Sequence, residues 1–372
     1  MLSLAEKNKY LRLVPVETFS TGTSPTNNFY EGVSMKVLLT GGTGFIGKRL
    51  LAKLVEKGYE VKVLVRSKES EQKISHFPVQ IVQGDITEPD SLFQAVQGVD
   101  IIYHLAAYAH PSLIQPYSLY EKINVQGTKN ILEAACQSKV KKVLIMSSIA
   151  ATGPSSDGSP LHEKSNRKPI TNYGKSKAAI EDMALSYFQE KNLPVVIIRP
   201  PFVYGIGDKD WVGFFIMIKT GGVPLLGLPF AGDHKNLLDF CYVDNLVQGL
   251  VQAAESEKTS GEIYFLSDNH PYTIQEIILA VAQALGIPYP KKFWPKWFAF
   301  FLAGILQTLG KVFHFEPPLA IKDVKWMTSN YWICTSSKAR KDFGYKPEIE
   351  LQEGIKRTID WAIANNIMKK EI

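Results

Sequence analysis

Tyr173 and Lys177 are the side chains whose types and spacing point most directly to chemistry. They lie four residues apart in the segment YGKSK, on a predicted helix, and therefore share one helix face. This spacing alone is common on solvated helices. Ser147 and Ser148 add hydroxyls at the end of a preceding predicted strand, where parallel sheets present ligand-binding groups. A hydroxyl, a phenol and an amine together supply a proton-transfer set, with Tyr173 as the acid or base.

A glycine-rich turn predicts where a phosphate would bind. The segment VLLTGGTGFIG, residues 37–47, has the pattern of a buried strand, a turn and the start of a helix. Gly41 allows the tight turn, Gly44 lets the backbone approach a phosphate, and Gly47 lets the helix pack closely on the strand. Free N–H groups and the dipole favour a pyrophosphate at the helix N-terminus. Since a second strand follows, we predict a dinucleotide site.

The residues after the next strands indicate which dinucleotide binds. The second strand ends in Val65-Arg66, where an NAD site usually carries an acidic residue for the ribose hydroxyls. The guanidinium of Arg66 suits the 2′-phosphate of NADP(H), so NADP(H) is the preferred cofactor and NAD(H) the second choice. A solvated arginine without a ligand stays open as the alternative. Asp85, after the third strand, can accept a hydrogen bond from the adenine amine, and Ala106 and Ala107 leave room after the fourth.

A bound nicotinamide would make the role of Tyr173 more specific. Lys177, beside the positive charge of an oxidised nicotinamide, would lower the phenol pKa from its usual value near 10 toward working pH. Ser148 would hydrogen-bond the reacting oxygen. The set then suits interconversion of an alcohol and a carbonyl compound.

These residues need a framework of alternating strands and helices. The apolar pattern predicts strands at 36–40, 60–65, 79–82, 100–104, 142–146 and 194–199. Helices are predicted near 45–57, 90–97, 118–138, 172–190, 244–255, 273–285 and 351–365, with loop and short strand at 222–233. The alternation predicts a doubly wound α/β fold, a Rossmann domain with a parallel sheet. We assign this domain to residues 35–205 and a smaller C-terminal substrate lobe, returning in part to it, to 206–372.

Composition excludes several other classes. The 372 residues carry a net charge of +6 that is spread through the chain, so nucleic acid is not an expected partner. Three widely spaced cysteines indicate reduced thiols in a cytoplasmic protein rather than a disulfide frame. His104, His110 and His162 lack ligand spacing, and no metal site is expected. The oligomeric state is not decided, and a homodimer stays open.

At this point the sequence resembles a known family, the extended short-chain dehydrogenase/reductases of the NAD-dependent epimerase/dehydratase superfamily. The matching motifs are TGGTGFIG (40–47), GDIT (84–87), HLAA (104–107), NVQGT (124–128), MSSIAATG (146–153), YGKSK (173–177) and RPPFVYG (199–205). The resemblance implies a Rossmann fold, a nicotinamide cofactor, and Ser148, Tyr173 and Lys177 as the catalytic set. Ser148 is favoured over Ser147 because it stands five residues before Gly153, where the family usually places its hydroxyl. The same motifs imply further cofactor contacts from Phe45, Ile46, Ile86, Leu105, Asn124, Pro200 and Val203.

Departures from the family pattern bear on the substrate. Nucleotide-sugar epimerases and dehydratases usually carry Asn in the segment R-x-x-N-V-Y-G, whereas this chain has Phe202, which suggests an apolar substrate. They also mostly keep an acidic residue near the position of Arg66, and the Asp-Glu pair of dehydratases is replaced by Ile149-Ala150. The chain therefore looks most like the 3β-hydroxysteroid dehydrogenase, dihydroflavonol reductase and 3-oxoacyl-chain reductase branch.

Three functions follow from this resemblance. The leading one is an oxidoreductase that interconverts a secondary alcohol and a ketone on a small apolar substrate, steroid-, flavonoid- or oxoacyl-like. The second is a nucleotide-sugar epimerase with tightly bound NAD. The third, a cofactor-sensing binding protein without chemistry, is disfavoured by the intact set of Ser148, Tyr173 and Lys177.

Three other residues are expected to have structural roles. Arg199 is expected to order the end of a strand rather than to contact substrate. Asp239 and Asp244 are expected to bind a loop and to cap the following helix, with Asp244 as the N-cap of 244–255.

Two segments fall outside this framework. Residues 1–34 show no helix or strand pattern, so we expect a disordered or loose arm, and Met35 is a second candidate start of translation. Residues 291–315, KKFWPKWFAFFLAGILQTLGKVFHF, are rich in aromatic residues, but their apolar run is too short to span a membrane. A core helix, a lid over the substrate and a helix on a lipid surface stay open, and we expect peripheral membrane contact.

Overall fold

The predicted alternation forms two sheets in the computed structural model, which describes residues 34–109, 115–220, 236–289, 296–313, 321, 324 and 331–369. The strands there are β1 Lys36–Thr40, β2 Glu60–Val65, β3 Gln80–Gln83, β4 Ile101–His104, β5 Lys142–Met146, β6 Val195–Arg199, β7 Phe202–Tyr204, β8 Leu237–Tyr242, β9 Glu262–Phe265, β10 Pro271–Thr273 and β11 Tyr331–Trp332. The predicted arm, apart from Ser34, and the predicted loop at 222–233 lie outside these residues.

Helices connect the strands. They are α1 Phe45–Glu56, α2 Lys68–Gln72, α3 Pro89–Val96, α4 Tyr117–Tyr120, α5 Gly127–Gln137, α6 Asn172–Lys191, α7 Lys209–Lys219, α8 Val243–Glu255, α9 Ile274–Leu285, α10 Lys296–Phe313, α11 Ser337–Phe343 and α12 Leu351–Ala364. A π-helical segment, Glu121–Gln126, joins α4 to α5, and short 3₁₀ turns cover Ile149–Ala151 and Glu257–Thr259. The single helix predicted at 118–138 is therefore three continuous segments.

The larger sheet is parallel and has seven strands in the order β3-β2-β1-β4-β5-β6-β9. Its central strands are buried on both faces. In β5, Leu144 and Met146 belong to one hydrophobic core, while Val143 and Ile145 belong to a second core on the opposite face. Continuous apolar strands of this kind need helices on both sides, which is the doubly wound α/β fold that the sequence predicts.

The smaller sheet is mixed and gathers the second half of the chain. Its strands run in the order β10-β8-β11, β7 pairs with β8, and the β8–β10 pair is antiparallel. The predicted domain limit at residue 205 falls directly after β7. The chain then returns to the larger sheet, where β9 lies beside β6.

Capping residues fix the ends of the helices that matter for the site. The side chain of Thr171 accepts a hydrogen bond from the Gly174 amide at the start of α6, and Asn192, with φ of 54°, ends that helix. The predicted cap at Asp244 is wrong: α8 begins at Val243 with Tyr242 as its N-cap. Asp244 lies within the first turn of α8 and pairs with Arg49 of α1 at 2.7 Å. A carboxylate in the first turn is also stabilised by the helix dipole.

Candidate active site

The glycine turn between β1 and α1 has the geometry of a phosphate-binding loop. Gly41 has φ of +75°, and a Cβ there would lie 2.7 Å from the Ala106 nitrogen. A Cβ on Gly47 would lie 2.1 Å from the Gly41 oxygen, so strand and helix approach too closely for any side chain. Gly44 caps α1 without a side-chain hydrogen bond, and the first turn, beginning with Phe45 and Ile46, holds no acidic residue. The free N–H groups of this turn fit an anionic pyrophosphate.

Several basic side chains lie near this turn, and one of them, Lys73, pairs with Glu69 at 2.8 Å. Arg66, directly after β2, is exposed, and no hydrogen bond or ion pair holds it within the described part of the chain. Lys48, in the first turn of α1, has its pKa lowered by burial and by the nearby ammonium groups of Lys73 and Lys209. Like charges held together in this way fit a phosphate ligand. Sequence reasoning missed Lys48, although a lysine directly after the third glycine was a visible signal.

The loop after β3 is held on helix α5. Asn130 donates a hydrogen bond to the Ile86 carbonyl at 2.8 Å, and a Cβ on Gly127 would lie 2.7 Å from the Ile86 side chain. Oδ1 of Asp85 accepts hydrogen bonds from both the amide and the hydroxyl of Thr87 at 2.8 and 2.9 Å. This leaves Oδ2 of Asp85 without a partner among the described residues, so a carboxylate oxygen is available for a ligand donor such as an adenine amine.

The loop after β4 is held by two buried polar side chains. Thr40 accepts a hydrogen bond from the Ala106 amide at 3.2 Å and contacts His104 Nδ1 at 2.8 Å. Asn124, in the π-helical segment, accepts from the Tyr108 amide at 2.7 Å and donates to Ser176 on α6 at 3.0 Å. Leu105, Ala106 and Ala107 follow on this loop and are partly exposed. The π-helical segment thus joins the loop to the helix that carries Tyr173, as such segments often do at functional sites.

Ser148, Tyr173 and Lys177 meet at the carboxyl end of β5. Lys177 is 3% exposed, and its Nζ donates a hydrogen bond to the Met146 carbonyl at 2.6 Å. That nitrogen lies 5.7 Å from the centre of the Tyr173 ring. Ser148 hydrogen-bonds Tyr173, and its hydroxyl also accepts from the Ala150 amide at 3.1 Å. The hydroxyl, phenol and amine therefore converge in the way that proton transfer requires.

Burial shifts both titrating groups away from their ordinary values. It raises the pKa of Tyr173 to about 12, a shift that the hydrogen bond from Ser148 opposes. It lowers the pKa of Lys177 to about 8, a shift that Glu181 opposes. The sequence predicts a lowered phenol pKa only beside an oxidised nicotinamide. In the protein by itself, Tyr173 is protonated at neutral pH and can act as a proton donor.

Ser147 has different partners from Ser148. Its hydroxyl donates to Glu181 Oε1 at 2.5 Å, and both residues are buried. Arg199 donates to both oxygens of Glu181 at 2.8 and 2.6 Å, and Arg167 adds a further contact at 3.2 Å. The structure thus places Ser148 with Tyr173 and Ser147 in an ion-pair network. Arg199, 1% exposed, orders the strand ends as the sequence predicts.

Phe202 lies in a cluster of aromatic rings on the smaller sheet. Its ring centre is 6.3 Å from Trp211, 5.8 Å from Phe240 and 6.2 Å from Trp332. Phe202 and its neighbour Val203 are partly exposed, whereas Pro200 is buried and accepts a hydrogen bond from the Ile149 amide at 2.9 Å. Phe240 and Trp332 are buried, so Phe202 and Trp211 are the rings of this cluster that are partly exposed.

Two other buried groups have structural roles. His104 contacts Thr40 and Thr128 through its two ring nitrogens, and burial lowers its pKa to about 3, so the ring is neutral. Oδ2 of Asp239 accepts from the Cys334 amide at 2.6 Å, and burial raises the pKa of this carboxyl group to about 6. Within the described residues, no cluster of three His, Cys, Asp or Glu side chains could hold a metal ion. His110, for which no ligand role is predicted, lies outside those residues.

Comparison with known proteins gives the family. Residues 37–267 match the model of the NAD dependent epimerase/dehydratase family, which is more than half of the chain. The UDP-glucose 4-epimerase of Vibrio cholerae is 29% identical, with 87% of this chain and 94% of that protein covered. The 2-alkyl-3-oxoalkanoate reductase of Stenotrophomonas maltophilia is 28% identical, with 87% and 98% covered.

A third relative and a solved structure agree with this assignment. The decarboxylating sterol-4-alpha-carboxylate 3-dehydrogenase of Mus musculus is 28% identical, with 91% of this chain and 93% of that protein covered. The crystal structure of gox2253 superposes with a TM-score of 0.75 at 28% identity, covering 90% of this chain and 99% of the other. The chain therefore belongs to the NAD dependent epimerase/dehydratase family of extended short-chain dehydrogenase/reductases, as an NAD(P)-dependent oxidoreductase or epimerase.

Proposed function

We propose that the protein is an NADP(H)-dependent oxidoreductase that interconverts a secondary alcohol and a ketone on an apolar substrate. The observation that carries this proposal is the meeting of Ser148, Tyr173 and Lys177 at the end of β5. Bound NADPH would supply the hydride to the carbonyl carbon. The residues of the chain would supply the proton and the polar contacts.

Tyr173 is the proton donor in ketone reduction and the proton acceptor in the reverse direction. Its raised pKa, about 12, keeps the phenol protonated and ready to donate to a developing alkoxide. Ser148 lies beside the phenol and can hydrogen-bond the same oxygen. Lys177, held through the Met146 carbonyl, brings an ammonium group near the phenolate that forms when the proton leaves.

The cofactor preference rests on charge. Arg66 is exposed and has no acidic partner among the described residues. Lys48 lies near the ammonium groups of Lys73, which pairs with Glu69, and of Lys209. A 2′-phosphate would neutralise this excess of positive charge, whereas the ribose hydroxyls of NAD would not. We therefore propose that NADP(H) binds more tightly than NAD(H).

The substrate class rests on the aromatic cluster of Phe202, Trp211, Phe240 and Trp332. Phe240 and Trp332 are buried, whereas Phe202 and Trp211 are partly exposed, and these two rings favour an apolar molecule over a charged nucleotide sugar. Two of the relatives are named for oxoalkanoate and sterol substrates, which agrees with an apolar ketone or alcohol. We propose a steroid-, flavonoid- or oxoacyl-like compound.

A nucleotide-sugar epimerase with tightly bound NAD is the second candidate. It is favoured by the 29% identity with a UDP-glucose 4-epimerase. An epimerase oxidises and reduces the same carbon, so it has to retain its cofactor between the two steps. Phe202 and Arg66 disfavour this candidate, because Phe202 offers no polar contact to a nucleotide sugar and Arg66 carries no carboxylate to accept hydrogen bonds from the ribose hydroxyls of NAD.

A substrate screen separates these candidates. Purified protein is incubated with NADPH and with steroid, flavanonol and 2-alkyl-3-oxoacid carbonyl compounds, and the absorbance of NADPH is followed. We expect oxidation of NADPH with at least one compound, and no NAD carried through gel filtration. Retained NAD together with epimerisation of a UDP-sugar would overturn the proposal. Cofactor binding without turnover of any compound would indicate a binding protein instead.

A further inference from the structure

Helix α10 presents a row of large apolar side chains to solvent. Trp297, Phe301 and Phe313 are 68%, 59% and 69% exposed, and Ile305 and Leu309 between them are also exposed. All five are spaced four residues apart, so they follow one another along one broad side of the helix over about 24 Å. We call this set the α10 stripe. Isolated exposed apolar residues are common on proteins, but a continuous row marks an interaction surface.

The opposite side of α10 is apolar as well. Ala303 and Gly310 are buried there. Within the described residues, no side chain of α10 belongs to either of the two hydrophobic cores. A surface helix of a soluble protein normally carries charged residues on its outer face. The outer face of α10 instead carries aromatic and aliphatic side chains.

The charged residues in the sequence around α10 indicate which kind of partner the stripe binds. From residue 277 to residue 315 the sequence contains lysines at 291, 292, 296 and 311 and no aspartate or glutamate. Basic residues with aromatic and aliphatic neighbours are typical of helices that lie on anionic membranes.

We propose that the α10 stripe docks on an anionic membrane surface, with the helix lying in the plane of the interface. Its five side chains would enter the boundary between headgroups and acyl chains, and the basic composition of the surrounding sequence, without aspartate or glutamate from 277 to 315, favours anionic lipid. No described helix is long and apolar enough to cross a membrane, which agrees with docking on one leaflet. The proposal does not depend on the reaction, although an apolar substrate would be concentrated in the same membrane.

Vesicle co-sedimentation of the full chain tests this proposal. The probes are vesicles of phosphatidylcholine alone and of phosphatidylcholine with phosphatidylserine, at low and at physiological salt. The stripe variant combines Trp297→Gln, Phe301→Gln and Phe313→Gln, because glutamine preserves helix propensity. The matched control combines Phe93→Gln, Ile170→Gln and Leu279→Gln, three exposed apolar residues elsewhere on the surface. Circular dichroism confirms that each variant is folded.

Wild type and the control should sediment with phosphatidylserine vesicles, more strongly at low salt, and binding of the stripe variant should be at least about tenfold weaker. Wild type that stays in the supernatant under every condition would overturn the proposal. If it does so as a dimer in analytical ultracentrifugation while the stripe variant is monomeric, the stripe binds a second copy. If removal of residues 1–33 alone makes the protein sediment, that segment covers the stripe. Equal sedimentation of wild type and the stripe variant would also contradict the proposal.

Discussion

Two successive turns of helix α6 each carry a buried charged side chain, but only the second of the two is paired with an opposite charge. Tyr173 and Lys177 lie at its first turns, and Lys177 has no carboxylate within 4.0 Å among the described residues. One turn further on the same face, Glu181 is 0% exposed and is held by Arg199, Ser147 and Arg167. The pKa of Lys177 is lowered by burial, and its hydrogen bond goes to a backbone carbonyl rather than to an anion.

The difference indicates that one buried charge, Glu181, stabilises the structure and the other, Lys177, serves the reaction. The buried carboxylate of Glu181 is paired with the bidentate guanidinium of Arg199, and this pair fixes the ends of β5 and β6. A buried ammonium without a carboxylate in direct contact is costly to the fold, and that of Lys177 lies 5.7 Å from the centre of the Tyr173 ring. We infer that the first turns of α6 carry the chemistry and that the next turn holds them in place.

Removal of Glu181 should have the largest effect on stability. In Glu181→Ala, Arg199 stays buried without its partner, and we expect a loss of about 3–5 kcal/mol in the free energy of unfolding. Urea denaturation followed by circular dichroism measures this change. The matched control is Glu353→Ala, which removes an exposed ion pair to Arg357 and should cost no more than about 0.5 kcal/mol. A similar small loss for both variants would contradict the structural role of Glu181.

Removal of the Lys177 ammonium should increase the free energy of unfolding rather than decrease it. Lowering its pKa from 10.5 to about 8 corresponds to a penalty of about 3 kcal/mol on the protonated form, and loss of its hydrogen bond offsets about 1 kcal/mol. Lys177→Met should therefore be about 2 kcal/mol more stable than wild type at pH 7, yet inactive. Below pH 8 the lysine is protonated in both folded and unfolded states, so the full difference is present. It should fade as pH rises from 8 to 10.5, because only the unfolded state then keeps the proton.

A lower stability of Lys177→Met than of wild type at pH 7 would show that Lys177 supports the fold. Denaturation curves at pH 7 and pH 9.5 are sufficient to see both the sign and the trend. The second measurement also separates loss of charge from a packing change, since packing does not depend on pH.

Arg66 extends the comparison to the surface. Like Lys177 it has no carboxylate partner among the described residues, whereas Arg199 is paired with Glu181. We expect Arg66→Ala to narrow the preference for NADPH over NADH by about 1–3 kcal/mol, the scale of a hydrogen bond between charged groups. Stability should not change. Dissociation constants for both cofactors from titration calorimetry measure the effect. Lys53→Ala, which removes a lysine farther along α1 that pairs with Glu56, serves as the control and should leave the preference unchanged. Equal affinities of wild type for the two cofactors would contradict the assignment.

The sequence predicts the framework of this site well because its signals are local. Strand bounds at 36–40, 60–65 and 142–146 agree with the structure, since a buried parallel strand is a short apolar run. The helix of Tyr173 and Lys177 was predicted within one residue of its observed end, at Lys191. The glycines are informative for the same reason, because close contacts within one turn require them.

Long-range contacts could not be predicted in this way. Glu181 and Arg199 lie on different elements, and only the fold shows that Glu181 binds both Arg199 and Ser147. The family resemblance places Asn124 near the cofactor. Its hydrogen bonds to Tyr108 and Ser176 depend on the π-helical segment, which the sequence does not predict. The N-cap of α8 was misplaced because Asp244 satisfies a distant arginine, Arg49, instead of its own helix.

The central claim is that Tyr173 transfers the proton, whereas the buried ion pair of Glu181 and Arg199 only holds the site in place. The most direct test is Tyr173→Phe, measured for turnover of the ketone found in the screen and for urea denaturation in the same preparation. We expect turnover to fall by about 10²–10⁴ with unfolding and NADPH affinity close to wild type, because the ring stays and only the hydroxyl is lost. Turnover equal to that of wild type in Tyr173→Phe would contradict the account.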